Sequence, residues 1–574
     1  MSGREAVVLS AGDDVRVADA TSRYQRDSLH QQKQSGVYFS KTQGEKTSQY
    51  RVGYSKALGQ TRETEQADSS VASVVDSAEG SVSIAAGAGG VIVEAHDAVN
   101  IEGSEIRSGG AVEVGGAEVA VAAAAVTHTE HAAVRSIYEA GRQVVDAIQG
   151  NLATGGLNLT VSLSYGVDRK ERISESIHRD AMASRFTADT DLFLRALGVD
   201  PATGNLRLVG SSLEARNIHL EARRDLSLMS AEEYSRDVTE NKSSSSSVGV
   251  NVSFGTNGFT VGVSASSARA KGRENTESLR HLESQVTAHE QLTLESGNDT
   301  TLQGAQARGR RLQAKVGGDL YLESEQDSER YAARQDSQSV SGGLAIGAGF
   351  SASLAVSASQ ARTNSNYTSV QEQTGLFAGQ DGFDLDVAGH TDLKGAVIAS
   401  QAAADRNRLR TGTLGFSDIV NTAAFDSRAS SFGAGLSVAG GGENATRAPD
   451  GGNATRASYS IGAPSRAAQQ GHATSRTRSA VSEGTIEIRN RAAQAARTGE
   501  TIEAALARLS RDPDSAHQAT RPDLRPPSAR AAPGAGPGVQ RGSDENRRRH
   551  RRVPAQAVPR RGGEKERRPP VPDP

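Results

Sequence analysis

The stretch that decides the fold is LTLESGNDTTLQGAQARG, residues 292–309. Its apolar residues alternate with polar ones from Leu292, stop at Gly297-Asn298-Asp299, and alternate again before Gly304. A period of two is typical of strands that bury one face. Gly, Asn and Asp favour corners, because they tolerate left-handed backbone angles. The stretch therefore predicts two short strands that face one interior and meet at a corner.

The same pattern recurs elsewhere in the chain. VIVEAHDAVNIEGS, which starts at Val91, and FDLDVAGHTDLKGA, which starts at Phe383, align with it without gaps. The three copies end in a glycine and a small residue, at Gly103, Gly304 and Gly395. Apolar strand residues return at intervals of about 20 residues, as expected of coils that stack on one another. We predict an all-β fold, a right-handed parallel β-solenoid.

Stretches of a second kind lie between these units. SSSSSVGVNVSFGTNGFTVGVSASSARAKG, which starts at Ser243, alternates on both sides of a glycine-rich turn at Gly255–Gly258. This pattern is typical of a β-hairpin. Similar runs start at Leu157 and Ser339. We expect inserted β-hairpins that project from the solenoid or extend one of its faces.

The polar corner residues have two interpretations. Asn298, Asp299, Asp97 and Asp319 fit turn chemistry, whereas a calcium-binding solenoid would need acidic residues at a fixed, dense spacing. We therefore predict that Gly103, Gly304, Asn298, Asp299 and Gly395 are structural turn residues, and we predict no metal site and no cofactor.

The sequence THTEH is the other candidate for metal ligands. It places His128 and His131 beside Glu130, but no further ligand follows. Two histidines without additional ligands are more typical of surface or turn positions.

Composition argues against an enzyme pocket. Only 36% of the 574 residues are hydrophobic and 4% aromatic, and Trp and Cys are absent, which excludes large compact cores and thiolate chemistry. The sequence lacks a phosphate-binding Gly-x-x-x-x-Gly-Lys loop and a His-Glu-x-x-His motif. No apolar run reaches the roughly 20 residues of a membrane helix. We predict no catalytic residue.

Two long stretches of the chain resemble the repeat of a known protein family. LTLESGNDTTLQGAQARGRRLQAKVGGDLYLESEQD and, from Asn366, NYTSVQEQTGLFAGQDGFDLDVAGHTDLKGAVIASQ resemble the hemagglutinin repeat of filamentous hemagglutinin-type proteins. These include two-partner secretion exoproteins and the stick-like effectors of bacterial contact-dependent growth inhibition. The resemblance covers residues 1–440 and is most specific over 280–420.

The resemblance implies a secreted filament on the surface of a Gram-negative bacterium. Its implied partners are an outer-membrane two-partner secretion transporter and a receptor on a host cell or a neighbouring bacterium. Because the chain opens inside a repeat unit and shows no signal peptide, we expect it to be an interior fragment of a larger exoprotein.

The C-terminal third differs in composition. Residues 441–472 are rich in Gly, Ser and Pro and predict a flexible linker. Residues 473–517 predict a helical segment with Ile502, Ala505, Leu506 and Leu509 on one face and Thr501 near its start. This segment resembles the region that precedes the pre-toxin region in toxin-bearing members of the family.

Residues 518–574 form an Arg- and Pro-rich tail that predicts disorder. Its sequence RRRHRR, Arg547–Arg552, fits a basic arm for nucleic acid. The alternative is a translated wrong reading frame, because the family pattern stops where this composition begins.

Three functions are therefore compatible with the sequence. The first is an adhesive filament segment that mediates cell attachment. The second is the stalk of a contact-dependent growth inhibition effector whose toxin domain is missing. The third and weakest is nucleic-acid binding by the basic tail.

Overall fold

The computed structural model describes residues 2–3, 6–11, 14–43, 47–78, 81–86, 98–149, 157–198, 202–255, 258–347, 349–440 and 455–519. They form a 23-stranded sheet, which is paired in parallel, and a 10-stranded antiparallel sheet. The parallel sheet coils into a solenoid and the antiparallel sheet consists of hairpins inserted between coils. This confirms the predicted all-β solenoid with inserted hairpins.

The described strands of the solenoid are mostly short, although Gly375–Lys394 has 20 residues. They are Ser2–Gly3, Ala6–Ala11, Val15–Ala18, Val74–Ser77, Ser81–Ala86, Ala98–Glu102, Glu105–Ser108, Val112–Gly116, Glu118–Ala122, Arg185–Ala188, Asp191–Ala196, Leu206–Val209, Ser212–Ala222, Leu226–Met229, Ser284–Ser296, Thr300–Gln303, Ala305–Val316, Leu320–Glu323, Gly375–Lys394, Val397–Ser400, Arg408–Ser417, Ala480–Val481 and Thr485–Ile488.

Each coil pairs in register with the coils before and after it. Leu206 lies opposite Leu226, Leu226 opposite Thr300, and Thr300 opposite Leu320. The alternate residues of these strands point inward: Leu294 and Leu302 are both 0% exposed. Burying such a side chain contributes about 1.5–3 kcal/mol, so the repeated apolar pattern is the main source of stability in the solenoid.

The described strands of the antiparallel sheet have 20 to 26 residues. The five hairpins are Ala20–Gln43 with Thr47–Val71, Ala124–Gln149 with Leu157–Met182, Ala231–Gly255 with Gly258–Leu282, Asp327–Ile346 with Phe350–Ser369, and Ile419–Gly440 with Thr455–Thr477. At the turn predicted over Gly255–Gly258, these two glycines lie opposite each other at the end of the third hairpin, and residues 256–257 lie outside the described residues.

Neighbouring hairpins pair with each other as well. Successive hairpins are separated by two coils, which advance about 9.6 Å along the solenoid at about 4.8 Å per coil. A two-stranded hairpin has the same width, so the last strand of one hairpin meets the first strand of the next. Leu157–Met182, for example, pairs with Ala231–Gly255, and Gly258–Leu282 pairs with Asp327–Ile346. All ten strands thus form one continuous sheet beside the solenoid.

The corners of the solenoid are connected by carboxylates. Asp225 Oδ1 accepts hydrogen bonds from the Asn298 side chain at 2.6 Å and the Asp299 backbone N–H at 3.2 Å. Asp299 Oδ1 in turn accepts from the backbone N–H of Asp319 at 2.8 Å, and Asp319 Oδ1 accepts from that of His390 at 2.6 Å. One carboxylate per coil therefore satisfies a corner N–H of the next coil.

The predicted corner glycines adopt left-handed backbone angles. The φ angles of Gly103, Gly304 and Gly395 are 52°, 60° and 58°. A Cβ at Gly304 would lie 2.7 Å from the Ser230 Cβ. Residues 91–97, including Asp97, lie outside the described residues.

The C-terminal region is more ordered than its composition predicts. Thr455–Thr477 is a strand opposite Ile419–Gly440, so the linker predicted over 441–472 is wrong from Thr455 onward. The small side chains of this segment do not indicate a strand. It is a strand because its backbone pairs with the neighbouring strand. Residues 441–454 and 520–574, with the basic stretch Arg547–Arg552, lie outside the described residues.

The predicted helical segment contains two short helices, Arg491–Thr498 and Ile502–Arg508, together with two solenoid strands. Thr501 caps the second helix, and Ala505 and Leu509 are buried as expected. Gln494 is 0% exposed and bonds both the N–H and the carbonyl of Leu414, at 2.7 and 2.9 Å. This segment therefore covers backbone groups at the last coils. A 3₁₀ turn at Ala404–Arg406 lies between two earlier strands.

Candidate functional site

The outer half of the antiparallel sheet has one face of large apolar side chains, which we call the apolar face. Its members are between 38% and 80% exposed: Val37, Phe39, Val52, Tyr54, Leu163, Tyr165, Val248, Val250, Phe254, Phe259, Val263, Val340, Leu344, Ile346, Phe350, Leu354, Phe432, Leu436, Tyr459 and Ile461. Isolated exposed apolar residues are ordinary on protein surfaces, but a contiguous set of this size marks an interaction site.

The pairing register places these residues on one face, because directly opposed residues in a sheet point the same way. One row runs from the first strand to the last: Val37, Tyr54, Gly141, Tyr165, Val248, Ala265, Gly342, Leu354, Leu436 and Tyr459. No charged or amide side chain interrupts it. The row crosses all ten strands of the sheet.

The opposite face carries small hydroxyl side chains, and we call it the serine face. Pairs of serines on adjacent strands hydrogen-bond across it, with Oγ–Oγ distances of 2.8 Å for Ser247 and Ser266, 2.7 Å for Ser339 and Ser357, and 2.6 Å for Ser437 and Ser458. The sheet is therefore amphipathic, with polarity that alternates residue by residue along each strand.

Nearer the solenoid, the face that carries the apolar residues becomes basic. Arg273, Arg334, Arg362 and Arg428 are exposed and lie directly opposite one another on four successive strands, and we call them the arginine row. The next row outward places Lys242 opposite Lys271. Like charges directly opposite each other are destabilising, so folding alone does not account for this arrangement.

Carboxylates beside the arginine row offset part of its charge. Arg334 pairs with Asp336 at 2.9 Å, Arg428 with Asp426 at 2.7 Å, and Arg273 with Glu240 at 3.7 Å. Exposed ion pairs contribute about 0–1 kcal/mol, so these contacts position the guanidinium groups more than they stabilise the sheet. The row still presents a line of positive charge to an outside partner.

The two histidines of THTEH, candidate metal ligands for which the sequence predicts no metal site, are separated by the strand geometry. His128 and His131 lie three residues apart on Ala124–Gln149, so they point to opposite faces of the sheet. His128 stacks on His178 with ring centroids 6.5 Å apart, and His131 Nδ1 lies 3.3 Å from Glu175 Oε1. They cannot hold one ion together. Within the described ranges, no group of three or more His, Cys, Asp or Glu residues is placed to bind a metal.

A buried carboxyl group lies where the third hairpin returns to the solenoid. Burial, followed by the nearby carboxylate of Glu372, raises the pKa of Glu283 to about 8. Its Oε2 atom is buried and has no hydrogen-bond partner among the residues that the structure describes. The pKa of His281 is raised mainly by its hydrogen bond to Asp327, 3.3 Å away. At both groups the folded chain therefore favours the protonated form.

The apolar face combines elements that the sequence predicts separately. The hairpin patterns at Ser243 and Ser339 predict alternation, but not the pairing between hairpins that aligns the apolar residues. The missed signal is the spacing, because hairpins with strands of 20 to 26 residues recur after every two coils.

Comparison with known proteins agrees with this architecture. The family model for the hemagglutinin repeat matches residues 163–336 and 332–409. These residues span two complete hairpins, most of the second strand of the hairpin before them, and the coils between. The chain belongs to the hemagglutinin-repeat proteins of the filamentous hemagglutinin type. This confirms the family resemblance carried by the repeat motifs.

Curated hemagglutinin-repeat relatives align over most of the chain. The tRNA nuclease CdiA of Escherichia coli strain NC101 is 33% identical over 553 residues, 90% of this chain and 16% of the relative. The Deoxyribonuclease CdiA of Dickeya dadantii strain 3937 is 38% identical over 366 residues, 63% of this chain and 10% of the relative. The chain thus spans 10% to 16% of the length of these relatives.

No solved structure matches the chain. Among the described residues, no helix has the length and apolar character needed to cross a membrane.

Proposed function

We propose that this chain is a filament segment of a contact-dependent growth inhibition exoprotein. The solenoid sets the length of the segment, and the antiparallel sheet gives it a broad surface for contact. The observation that carries this proposal is the alignment of 90% of the chain with the tRNA nuclease CdiA of Escherichia coli strain NC101. The repeated hairpins, and a surface in place of a pocket, support it.

The scaffold fits a role in presenting an activity rather than performing one. The relatives are named for nuclease activities, and we assign those activities to parts of the relatives beyond the repeat region. In the full exoprotein, the partners would be an outer-membrane transporter and a receptor on a neighbouring bacterium. The place of action would be the bacterial cell surface.

A chimera tests the stalk function. The segment of the Escherichia coli strain NC101 relative that aligns with this chain would be replaced by residues 1–519. Target bacteria without immunity would then be counted after co-culture. We expect inhibition within about tenfold of the parent protein, whereas a parent that lacks the aligned segment should not inhibit. A chimera that reaches the surface but inhibits no better than this deletion would contradict the proposal.

A second candidate is direct attachment to cells. The apolar face and the arginine row favour it, because many weak contacts across a broad surface add to strong overall binding. Purified chain should bind target bacteria or epithelial cells saturably. Absence of saturable binding to both would exclude attachment by this segment and leave the stalk function intact.

A further inference from the structure

The apolar face is larger than a monomeric protein ordinarily exposes. Ten strands at about 4.8 Å spacing and four rows at about 6.8 Å give an area of about 1,300 Å². The largest apolar patch on a typical monomer is about 300–600 Å². A cover for this face is therefore expected.

The chain's own C-terminal tail is a poor cover. Residues 520–574 are rich in Arg and Pro and contain few large apolar side chains. Their positive charge would also be repelled by the arginine row on the same face of the sheet.

A lipid bilayer is also a poor match for a single sheet. If the hairpin tips entered the hydrocarbon, the serine face would enter with the apolar face. In each serine pair one hydroxyl donates to the other, so the second O–H would lack an acceptor in hydrocarbon, which costs free energy. A cover that contacts one face only avoids this cost.

We propose that the cover is the apolar face of a second copy of this chain. Two such faces would bury about 2,600 Å² in total, above the 1,200–2,000 Å² of a standard stable interface. Sheets pack face to face at about 10 Å, with side chains from each filling gaps in the other. The row that crosses all ten strands contains such gaps at its small residues Gly141, Ala265 and Gly342, which lie between large ones.

Charge selects the orientation of the two copies. If both sets of hairpin tips pointed the same way, the arginine rows and the carboxylates beside them would be buried in the interface, and removing these charges from water is costly. If the tips pass each other in opposite directions, only the outer apolar rows overlap. The arginine rows then stay in solvent on either side, and the two solenoids lie at opposite ends of the pair.

Sedimentation of the full chain tests the pairing. We expect a dimer at micromolar concentration. The double variant Val263→Glu/Leu354→Glu, which places charge on the apolar face, should raise the dissociation constant at least 100-fold. The matched variant Ser264→Glu/Ser353→Glu changes the adjacent residues on the serine face and should remain dimeric. Circular dichroism spectra of both variants should match that of the unmodified chain.

Spin labels test the orientation. The chain contains no cysteine, so Arg362→Cys gives one labelling site per copy. Opposed tips predict a distance of about 65 Å between the two labels, whereas tips on the same side predict less than about 30 Å. The shorter distance would overturn the proposed arrangement.

A chain that stays monomeric at about 20 µM would overturn the pairing itself, because this concentration is roughly a hundredfold above the dissociation constant of a dimer of sub-micromolar affinity. If that monomer sediments with phosphatidylglycerol vesicles, the cover is a lipid surface. If removal of residues 520–574 produces the dimer, the cover is the tail. This proposal does not depend on the proposed function, because a monomeric chain can still serve as a stalk.

Discussion

In the solenoid, Leu292 and Leu294 alternate with polar residues and are 0% exposed, whereas in the antiparallel sheet Leu354 and Leu436 are 51% and 49% exposed. Both pairs lie on strands with one apolar face. The solenoid covers its apolar face by coiling around it, but the hairpins extend beyond the coils and cannot. Stability therefore comes from the coils, and the sheet is available for contact.

The largest expected effect is a difference in stability between alanine variants of two leucines, one in the solenoid and one in the antiparallel sheet. Leu294→Ala should lower the free energy of unfolding by about 2–5 kcal/mol, because it opens a cavity in the solenoid. Leu354→Ala removes the same atoms from an exposed face and should change the free energy of unfolding by less than about 0.5 kcal/mol. Urea unfolding of the variants, followed by circular dichroism below the concentration of self-association, measures both values. Equal losses would contradict the division between the two regions.

Because of backbone strain, alanine should destabilise the chain more at one glycine, in a solenoid corner, than at another, in the antiparallel sheet. Gly304→Ala should cost about 1–3 kcal/mol, because a residue with a Cβ is strained at φ 60°. Gly272 lies in the sheet, and a Cβ there would be 3.8 Å from its nearest neighbour. Gly272→Ala should therefore be close to neutral in the same urea titration. A larger loss at Gly272 than at Gly304 would show that the corners are not the constrained part.

The junction between the regions should respond to pH. Glu283 has a folded pKa of about 8 and an ordinary value of 4.5, so the folded state retains a proton that the unfolded state loses. Its contribution to stability is full below pH 4.5, decreases above it, and is lost as pH rises through about 8. Glu283→Gln, which is neutral at every pH, should remove at least about 1 kcal/mol of the fall between pH 6 and 9.

Unfolding midpoints across that pH range measure this difference. The control Glu290→Gln changes an exposed glutamate in the solenoid and should retain the pH dependence of the unmodified chain. Identical pH profiles for Glu283→Gln and the unmodified chain would exclude Glu283 as the titrating group.

The smallest expected effect concerns polar contacts. Asp299→Ala removes the acceptor of the Asp319 N–H at the solenoid corner and should cost about 1 kcal/mol. Ser339→Ala removes the exposed contact with Ser357 and should cost less than about 0.5 kcal/mol. A thermal unfolding series ranks the two variants. A greater loss of stability for Ser339→Ala than for Asp299→Ala would mean that the serine pairs contribute more to stability than the corner contacts do.

The coils could be predicted from sequence because each coil repeats the same local signals. Leu292, Leu294 and Leu302 mark the buried positions, and Gly304 marks the bend. The junctions could not be predicted, because Glu283 and Glu372 are separated by two coils and the hairpin of Asp327–Ile346 with Phe350–Ser369, and they meet only in the folded chain.

The sheet could be predicted only in part. Val250 and Val263 indicate a hairpin by themselves, but the partner of Val263 on the next hairpin, Leu344, is fixed by the advance of two coils. The strand Thr455–Thr477 shows the limit most clearly. Its small and polar residues resemble a linker, and only the ladder opposite Ile419–Gly440 makes it a strand.

Disulfide trapping tests the central claim, that the hairpins form one continuous sheet, most directly. Thr363 and Ser427 lie on neighbouring hairpins with hydroxyl oxygens 3.0 Å apart, and Ser337 and Ser359 lie within one hairpin at 2.6 Å. Cysteines would replace each pair in this cysteine-free chain, and mass spectrometry of non-reduced digests would detect the crosslinks. Crosslinking of both pairs is the predicted result, whereas crosslinking of Ser337→Cys/Ser359→Cys alone would contradict a continuous sheet.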